Sequence, residues 1–163
     1  MTTTTTDLIP TAHDFRSTQL FEAPPAKVVE ALTTTDGISD WWARTTGSAA
    51  QGGELSVWFG ERQMRGRVTV TDRPTRVQWD VVFCDAMPDW VGTTVIFEVA
   101  PLGEGSVLSF THVGLNPQLE CFAQCFAGWT FYLGSLVDYV DHDGGTPAGT
   151  TPETANDHQR DMH

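Results

Sequence analysis

Apolar and polar side chains alternate along the middle of the chain, with the period of two that is typical of strands with one buried face. Five stretches after Gly52-Gly53 have this pattern. Two of their connections, Asp72-Arg73-Pro74-Thr75 and Leu102-Gly103-Glu104-Gly105, are rich in turn-forming residues, so the pattern predicts an antiparallel meander. The side chains expected on its buried face are Leu55, Val57, Phe59, Met64, Val68, Val70, Val77, Trp79, Val81, Phe83, Val95, Phe97, Val99, Leu108, Phe110 and His112.

The apolar period changes to alternating steps of three and four near the end of the chain, which is the pattern of an amphipathic helix. It predicts one helix over Pro117–Val140, about 36 Å long at 1.5 Å per residue. Upstream, His13–Glu22 has the character of an extended strand. Pro24-Pro25 opens a short helix, and Asp36-Gly37 precedes a second one over Ile38–Trp42. The stripe of the long helix comprises Leu119, Phe122, Phe126, Trp129, Leu133, Leu136 and Val140.

These elements predict an α+β fold. A curved antiparallel sheet of about six strands is accompanied by two short helices, and a long C-terminal helix packs across it. The aromatic stripe of that helix needs an apolar surface, and the inner face of the meander supplies one. The two ends of the chain are rich in Thr, Gly, Pro and acids. We therefore expect a flexible N-terminal segment over 1–12, a folded domain over 13–140 and an acidic flexible tail over 141–163.

Composition narrows the classes of function. The chain of 163 residues has a formal net charge of -12, which disfavours binding to nucleic acid or to an anionic membrane surface. No apolar run approaches the roughly 18 residues of a membrane helix, and the N-terminus lacks the pattern of a signal peptide. Three cysteines do not make a disulfide framework, so we expect a cytoplasmic domain with reduced thiols. Motifs of nucleotide-dependent enzymes, zinc proteases and triad hydrolases are absent from the sequence.

Short stretches spread over most of residues 13–140 match, in order and spacing, a pattern known from one family of domains. They are Phe21–Leu32, Trp41-Trp42, Gly52-Gly53, Gly66-Arg67-Val68, Asp72–Trp79, Thr111–Gly114 and Gly128-Trp129. With these stretches the chain resembles the START/Bet v 1-like (SRPBCC) superfamily, and within it the branch named for the activator of the 90-kDa heat-shock protein ATPase, in its C-terminal domain form. The resemblance implies a helix-grip fold with an apolar cavity between sheet and last helix, often used for hydrophobic ligands. It implies no single reaction, because lipid carriers, hormone receptors and polyketide cyclases share the fold.

Six tryptophans are many for a chain of this length. Trp79 and Trp129 lie on the inward stripes of sheet and helix, Trp41 and Trp42 lie at the corner of the second short helix, and Trp90 lies in a loop before a strand. These positions favour either an aromatic-lined pocket for a flat hydrophobic ligand or ordinary filling of the core. The candidate ligand-binding residues are Trp41, Trp42, Trp79, Phe83, Phe97, Phe110, His112, Phe126 and Trp129.

His112 is the candidate catalytic residue. It shares a strand face with Leu108 and Phe110, so we expect it to point toward the long helix. An inward histidine with a near-neutral pKa could act as a general acid or base, or could anchor a polar group of a ligand. A histidine at a strand end can equally be a structural group that is hydrogen-bonded within the fold. Both interpretations stay open.

The other charged clusters favour ordinary structural roles. Asp80 is expected to face solvent, and Asp85 and Asp89 lie with Pro88 in a loop, where acids are common. Five arginines, at positions 62, 65, 67, 73 and 76, cluster within fifteen residues and are called the arginine patch here. Arg65 and Arg67 alternate with Met64, Gly66 and Val68, so we expect these two on the outer face of the sheet. This arginine patch either meets an acidic partner or pairs with nearby acids of the same chain.

Metal and cofactor chemistry is not expected. Cys121 and Cys125 lie one helical turn apart, and with His112 they offer three soft ligands. A closed structural zinc site needs four. Cysteine is also among the residue types that are most often buried. We therefore predict no metal site and no bound cofactor.

Three functions are consistent with these observations. The first is binding of a small hydrophobic ligand, lipid-like or aromatic, between the sheet and the long helix, with His112 as the polar anchor. The second is an enzyme of the cyclase or hydratase type in which His112 moves a proton. The third is a protein-interaction module of the chaperone-ATPase-activator kind. A homodimer stays open for each of them.

Overall fold

Seven antiparallel strands form one sheet in the computed structural model, which describes residues 14–72, 75–115 and 122–148. The strands are β1 Asp14–Phe21, β2 Thr45–Gly47, β3 Glu54–Phe59, β4 Arg62–Asp72, β5 Thr75–Cys84, β6 Thr94–Leu102 and β7 Gly105–Val113. Their order in the sheet is β1-β7-β6-β5-β4-β3-β2, so consecutive strands from β2 to β7 are neighbours and β1 pairs with β7. The predicted meander and the α+β helix-grip fold are confirmed.

The sheet has one strand more than the sequence pattern predicted. The additional strand, β2, has three residues and pairs with β3, with Thr45 opposite Val57. Its last two residues are exposed, so no alternation of apolar and polar side chains marks it. A strand this short forms because a neighbouring strand offers backbone groups that need hydrogen bonds. Side-chain periodicity does not report on that need.

Three α-helices and one 3-10 helix complete the fold. They are α1 Pro25–Thr33, α2 Thr35–Trp41, the 3-10 helix Pro88–Trp90 and α3 Phe122–His142. Pro25 stands in the first turn of α1, where its missing N–H needs no partner. The helix α2 begins ahead of the predicted Ile38 because Thr34 caps it. The hydroxyl of Thr34 accepts the backbone N–H of Gly37 at 3.0 Å.

The helix α3 packs its apolar stripe onto the inner face of the sheet. The predicted stripe residues that are buried are Trp129, Leu133, Leu136 and Val140. Leu119 lies outside the described residues, and so do the side chains of Phe122 and Phe126. The buried side chains of the sheet include Leu55, Val57, Met64, Trp79, Phe97, Leu108 and Phe110. No helix within the described ranges is long and apolar enough to cross a membrane.

A bulge in β5 moves one predicted core residue to the other face of the sheet. The register of β4 and β5 shifts between Arg65 and Gly66, because Val82 is an extra residue in β5. Phe83 therefore pairs with Arg65 on the outer face, where the guanidinium carbon lies 4.6 Å from the ring centre. Cys84 takes the inner position instead. The prediction that Phe83 faces the core is wrong, and this apolar stretch of β5 contains no polar residue that marks the shift.

The packed part of the chain continues past Val140, where we expected the domain to end. After α3, residues 143–148 turn back over the end of α2. A Cβ at Gly145 would lie 2.4 Å from the carbonyl oxygen of Asp40, so the backbone passes too close for a side chain. The N–H of Ala148 donates to the carbonyl oxygen of Trp42 at 2.8 Å. Backbone atoms make these contacts, and the composition of the segment does not reveal them.

Candidate ligand-binding site

Trp42 lies at the centre of a cluster of aromatic rings between the sheet and α3. Its indole is parallel to that of Trp79 on β5, with ring centres 5.7 Å apart and planes within 5°. It also contacts Trp129 on α3, with ring centres 4.9 Å apart. Its neighbour Trp41 stacks on it at 5.8 Å. Trp42 therefore connects the aromatic surface of the sheet to that of the helix.

The 3-10 helix adds Trp90 to the aromatic cluster. The ring of Trp90 is parallel to that of Trp129, with centres 5.7 Å apart and planes within 8°, and it contacts Trp42 at 6.4 Å. The sequence placed Trp90 in a loop, and it was not among the candidate site residues. Pro88, two residues before Trp90, was the available signal, because proline fixes the backbone at the start of a short helix and so directs the side chains that follow.

Most of the predicted ligand-binding residues come together in this cluster. Phe97 contacts Trp79 at 4.8 Å and Phe110 at 5.1 Å, which extends the cluster along the sheet. Phe83 lies apart from it on the outer face, and the side chain of Phe126 lies outside the described residues. The predicted residues that the fold does bring together are Trp41, Trp42, Trp79, Phe97, Phe110, His112 and Trp129.

The aromatic cluster leaves little empty space. It contains a cavity of about 10 Å³, enough for about one water molecule. The resemblance implied an open apolar cavity, and within the described residues Trp42 fills that space instead. The sequence put Trp42 at the corner of α2 but does not give the direction of its side chain. The residues that line the cavity are Trp42, Phe59, Met87, Trp90, Cys125, Gly128, Trp129 and Tyr132.

His112 is fully buried, and both of its ring nitrogens are hydrogen-bonded. The indole N–H of Trp129 donates to Nδ1 at 3.0 Å. Because an indole nitrogen can only donate, Nδ1 carries no proton and Nε2 carries it. The Nε2 atom lies 2.8 Å from the hydroxyl of Thr93, which donates its own hydrogen to the carbonyl oxygen of Trp90 at 2.6 Å. These hydrogen bonds link β7, α3 and the 3-10 helix.

Burial lowers the pKa of His112 to about 3, because the charged form loses its hydration. The imidazole is therefore neutral at physiological pH, and the N–H of Trp129 occupies its lone pair. A general base needs a free lone pair within reach of the substrate. The described geometry therefore supports a structural role for His112.

Sulfur and hydroxyl groups make up one part of the cavity wall. The indole N–H of Trp90 donates to Cys125 Sγ at 3.2 Å, and this thiol donates to Met87 Sδ at 3.4 Å. Burial raises the pKa of Tyr132, so its hydroxyl stays protonated. In the part of the chain that the structure describes, no group of three or more His, Cys, Asp or Glu could hold a metal ion. Cys121 lies outside that part.

The buried indole N–H of Trp79 has no hydrogen-bond partner among the described atoms. A buried donor without an acceptor costs about 1–3 kcal/mol. A polar atom of a molecule bound beside the parallel rings of Trp42 and Trp79 could relieve that cost. The aromatic cluster therefore contains one unsatisfied donor within an otherwise apolar environment.

Two of the three acids in and after β5 are used by the fold. Asp80 accepts a hydrogen bond from the side chain of Gln78 at 3.1 Å on the outer face of the sheet. Asp85 directly follows β5, and its carboxylate accepts the backbone N–H of Gln63 at 2.7 Å. This hydrogen bond holds the end of β5 to the start of β4. Asp89 is exposed. None of the three lines the cavity described above.

The arginine patch is largely paired within the same chain. Arg65 lies 4.0 Å from Glu54, and Arg76 lies 3.5 Å from Glu98. Both pairs are on the outer face of the sheet, which was the face predicted for Arg65. Of the other three arginines, Arg62 donates to the carbonyl oxygen of Asp85 at 2.9 Å, Arg67 is exposed, and Arg73 lies outside the described residues.

The architecture and the aromatic cluster define the class of protein. A sheet covered on its inner face by one long C-terminal helix is the helix-grip fold of the SRPBCC superfamily, a fold of ligand-binding type. The family described as "Activator of Hsp90 ATPase homolog 1-like protein" matches residues 22–141, and the chain belongs to that family. The match agrees with the resemblance that the sequence stretches carried.

Solved structures with the same fold accompany the family match. The Aha1 dimer from Colwellia psychrerythraea has a TM-score of 0.69 and 25% identity, covering 81% of this chain and 98% of that chain. CalU16 from Micromonospora echinospora has a TM-score of 0.66 and 22% identity, and the match covers 94% of this chain and 86% of that chain. DynU16, from the dynemicin biosynthetic locus, has a TM-score of 0.64 and 21% identity, and the match covers 81% of this chain and 48% of that chain. The latter two show the fold alone. No curated protein matches the chain.

Proposed function

We propose that this protein binds a small, flat, uncharged hydrophobic molecule in the aromatic cluster around Trp42. The observation that carries the proposal is the position of Trp42, which contacts Trp79 on the sheet and Trp129 on α3. An aromatic ring already fills the space between the two layers, and the family fold is of ligand-binding type. The ligand takes the place of that ring.

Binding requires a side chain to leave, because the cavity of about 10 Å³ is far smaller than a typical ligand site of roughly 300–1,000 Å³. Trp42 follows the last residue of α2 and begins the connection to β2. Its ring can therefore swing outward without breaking a helix or a strand pair. Since one indole separates sheet and helix at this point, a ring of similar thickness fits without moving either layer.

The surroundings select a neutral ligand that has a hydrogen-bond acceptor. No formally charged side chain is among the described residues that line the cavity. The net charge of -12 disfavours the approach of anions. The N–H of Trp79, which has no partner among the described atoms, is the donor that faces the ligand. A carbonyl, ether or ring nitrogen of the ligand is the matching acceptor.

Titration with 6-propionyl-2-(dimethylamino)naphthalene, a flat, neutral fluorescent dye whose carbonyl is a hydrogen-bond acceptor, tests this proposal. We expect a saturable rise in dye fluorescence together with a higher unfolding temperature. A ligand that binds only the folded state stabilises it by about 2.7 kcal/mol at one hundred times its Kd. The absence of binding would contradict the proposal.

Two glycines of α3 provide a matched pair of variants that locates the dye. Gly128 lines the cavity, so Gly128→Leu fills it from the helix side and should abolish dye binding. Gly134→Leu makes the same change on the same helix at a position where a Cβ meets nothing within 4 Å, so it should leave dye binding intact. Equal dye binding by both variants would show that the dye binds elsewhere.

We also infer that the chain forms a homodimer. The support is the Colwellia psychrerythraea Aha1, which is described as a dimer and matches this chain at 25% identity over 98% of its own length. Sedimentation velocity over a wide range of concentrations tests this. We expect a species of twice the chain mass of 17.9 kDa. A single species of the chain mass at every concentration would contradict the homodimer.

The two alternatives from the sequence receive less support. A cyclase or hydratase that uses His112 as acid or base needs a free ring nitrogen, and the described hydrogen bonds leave none. A chaperone-ATPase activator that docks an acidic partner on the arginine patch would compete with Glu54 and Glu98 of this chain, which already pair with Arg65 and Arg76.

A further inference from the structure

We propose that two copies of this chain pair antiparallel along β1, about a twofold axis at Thr18, so that the sheet continues from one copy into the other. This inference rests on the proposed homodimer and names its interface. In the described sheet β1 is the terminal strand and pairs with β7 on one side only. Its outer edge therefore presents backbone N–H and C=O groups that a further strand can pair with.

The strand β1 has few of the features that protect edge strands from pairing. It has eight residues in unbroken register with β7, from Asp14 opposite Val113 to Phe21 opposite Ser106. It contains no proline, lysine or bulge, and its exposed cation is Arg16. The opposite edge strand, β2, is protected by its length of three residues. Of the two described edges, β1 is therefore the one suited to extension.

A groove of about 430 Å³ lies beside β1, between this strand and α3. Leu20 stands at its border with 63% of its surface exposed, and Gly134 leaves the wall on α3 without a side chain. A strand that extends the sheet lies about 4.8 Å from the edge and so enters this groove. The groove is lined by Gln19, Leu20, Phe131, Gly134, Ser135, Val137, Asp138 and Thr146.

The alternation of β1 restricts how two copies can pair. Its odd-numbered residues face α3 and its even-numbered residues face away. Opposite residues of an antiparallel pair point to the same face, so a twofold axis perpendicular to the sheet passes through a residue pair. An axis at Arg16 would set like charges opposite each other. An axis at Ser17 would set the exposed Leu20 opposite Asp14 of the other copy, whose short polar side chain does not cover the leucine.

An axis at Thr18 pairs residues 15–21 completely, whereas an axis at Gln19 pairs only residues 17–21. The Thr18 axis sets the two copies of Thr18 beside each other, a favourable cross-strand pair. The acids at positions 14 and 22 are opposite only beyond the paired residues, where the carboxylate of Asp14 accepts a backbone N–H of its own chain. The Thr18 axis also places the aliphatic part of Arg16 over Leu20 of the other copy, which covers the exposed leucine. This register is therefore the one we propose.

Leu20→Lys tests the interface without disturbing the core, because Leu20 is exposed. Because the dimer is twofold symmetric, this change sets a lysine opposite Arg16 at two places in the interface. We expect the dimer Kd measured by sedimentation equilibrium to rise roughly tenfold. The matched control is Leu102→Lys, at a leucine of β6 that is 54% exposed and two strands away from the free edge, which should leave the Kd unchanged. Adding Arg16→Glu to Leu20→Lys should restore the dimer, because opposite charges then face each other in the Thr18 register.

Cysteine cross-linking supplies a second readout. Opposite residues of an antiparallel pair have Cα atoms about 4.5–5.5 Å apart, which suits a disulfide. Thr18→Cys should therefore give a covalent dimer under mild oxidation, whereas Thr69→Cys, at an exposed position of β4, should not. A monomeric wild-type chain would contradict both the homodimer and this interface. A dimer that persists in Leu20→Lys and does not cross-link at position 18 would keep the homodimer and overturn the interface.

Discussion

Trp129 on α3 donates its indole N–H to Nδ1 of His112 on β7 at 3.0 Å. The same indole contacts Trp42, so the hydrogen bond that fixes the protonation of the histidine also fixes one wall of the proposed ligand site. His112 is thus connected to the proposed ligand site through packing rather than through proton transfer.

The stability of the protein should depend on pH through His112. Its pKa is about 3 in the folded state and about 6.5 when unfolded. Because the folded pKa is the lower one, the neutral histidine contributes stability above pH 6.5, and this contribution is lost as the pH falls from 6.5 toward 3. The full shift corresponds to on the order of 5 kcal/mol. Urea unfolding at neutral and acidic pH measures the loss.

His112→Gln is the control for this pH dependence. A glutamine amide can accept from Trp129 and donate to Thr93, yet it does not titrate. The carboxylates titrate in both proteins and cancel in the comparison. The wild-type protein should therefore lose more stability on acidification than the variant. The same loss in both proteins would show that His112 is not a buried neutral group.

Removal of the Thr93 hydroxyl should destabilise the fold. Thr93→Val keeps the shape of the side chain but leaves the Nε2 proton of His112 without an acceptor, which costs about 1–3 kcal/mol. Thr93→Ser retains the hydroxyl and should recover most of that stability. Thr69→Val at an exposed strand position is the control and should have little effect. Equal unfolding free energies for Thr93→Val and the wild type would contradict the hydrogen-bond chain.

Gly145→Ala should destabilise the protein, because the added Cβ would lie 2.4 Å from the carbonyl oxygen of Asp40. Residues 143–148 would have to move away from the end of α2, and the thermal unfolding midpoint should fall. Gly134→Ala is the control, since its Cβ meets open space in a helix and should stabilise by up to about 1 kcal/mol. An unchanged midpoint for Gly145→Ala would mean that the segment does not pack there.

Trp42→Ala should cost about 3–5 kcal/mol, since it empties the centre of the aromatic cluster. Free indole should then bind in the vacated space and raise the unfolding temperature of the variant. Trp58→Ala is the matched control, because Trp58 lies outside the buried cluster, beneath Arg44 at 5.0 Å. Indole should not rescue it. Rescue of both variants, or of neither, would contradict a ligand site at Trp42.

Sequence periodicity predicted the elements whose side chains alternate between core and solvent. The strands β3 to β7 and the buried stripe of α3 are of this kind, because burial of one face imposes the spacing. Features that depend on backbone contacts leave no trace in the alternation of apolar and polar side chains. The bulge at Val82, the short strand β2 and the close passage of Gly145 over Asp40 depend on hydrogen bonds and backbone distances.

The sequence predicted which residues make up the candidate site, but it did not predict how their side chains pack against each other. The face of each strand and helix placed Trp79, Phe97, Phe110 and Trp129 together correctly. The direction of Trp42 was not predictable, because it follows a helix end where no periodicity applies. The two partners of His112 come from α3 and from the loop before β6, so only the tertiary fold brings them to its ring.

The indole N–H signals in two-dimensional proton–nitrogen NMR spectra test the displacement of Trp42 most directly. The Trp42 signal is assigned with Trp42→Phe and followed during titration with 6-propionyl-2-(dimethylamino)naphthalene. If the dye takes the place of the ring, the Trp42 signal should move to a solvent-exposed position and exchange rapidly with water, while the Trp58 signal stays unchanged. A Trp42 signal that keeps its position and its slow exchange at saturating dye would contradict the proposed site.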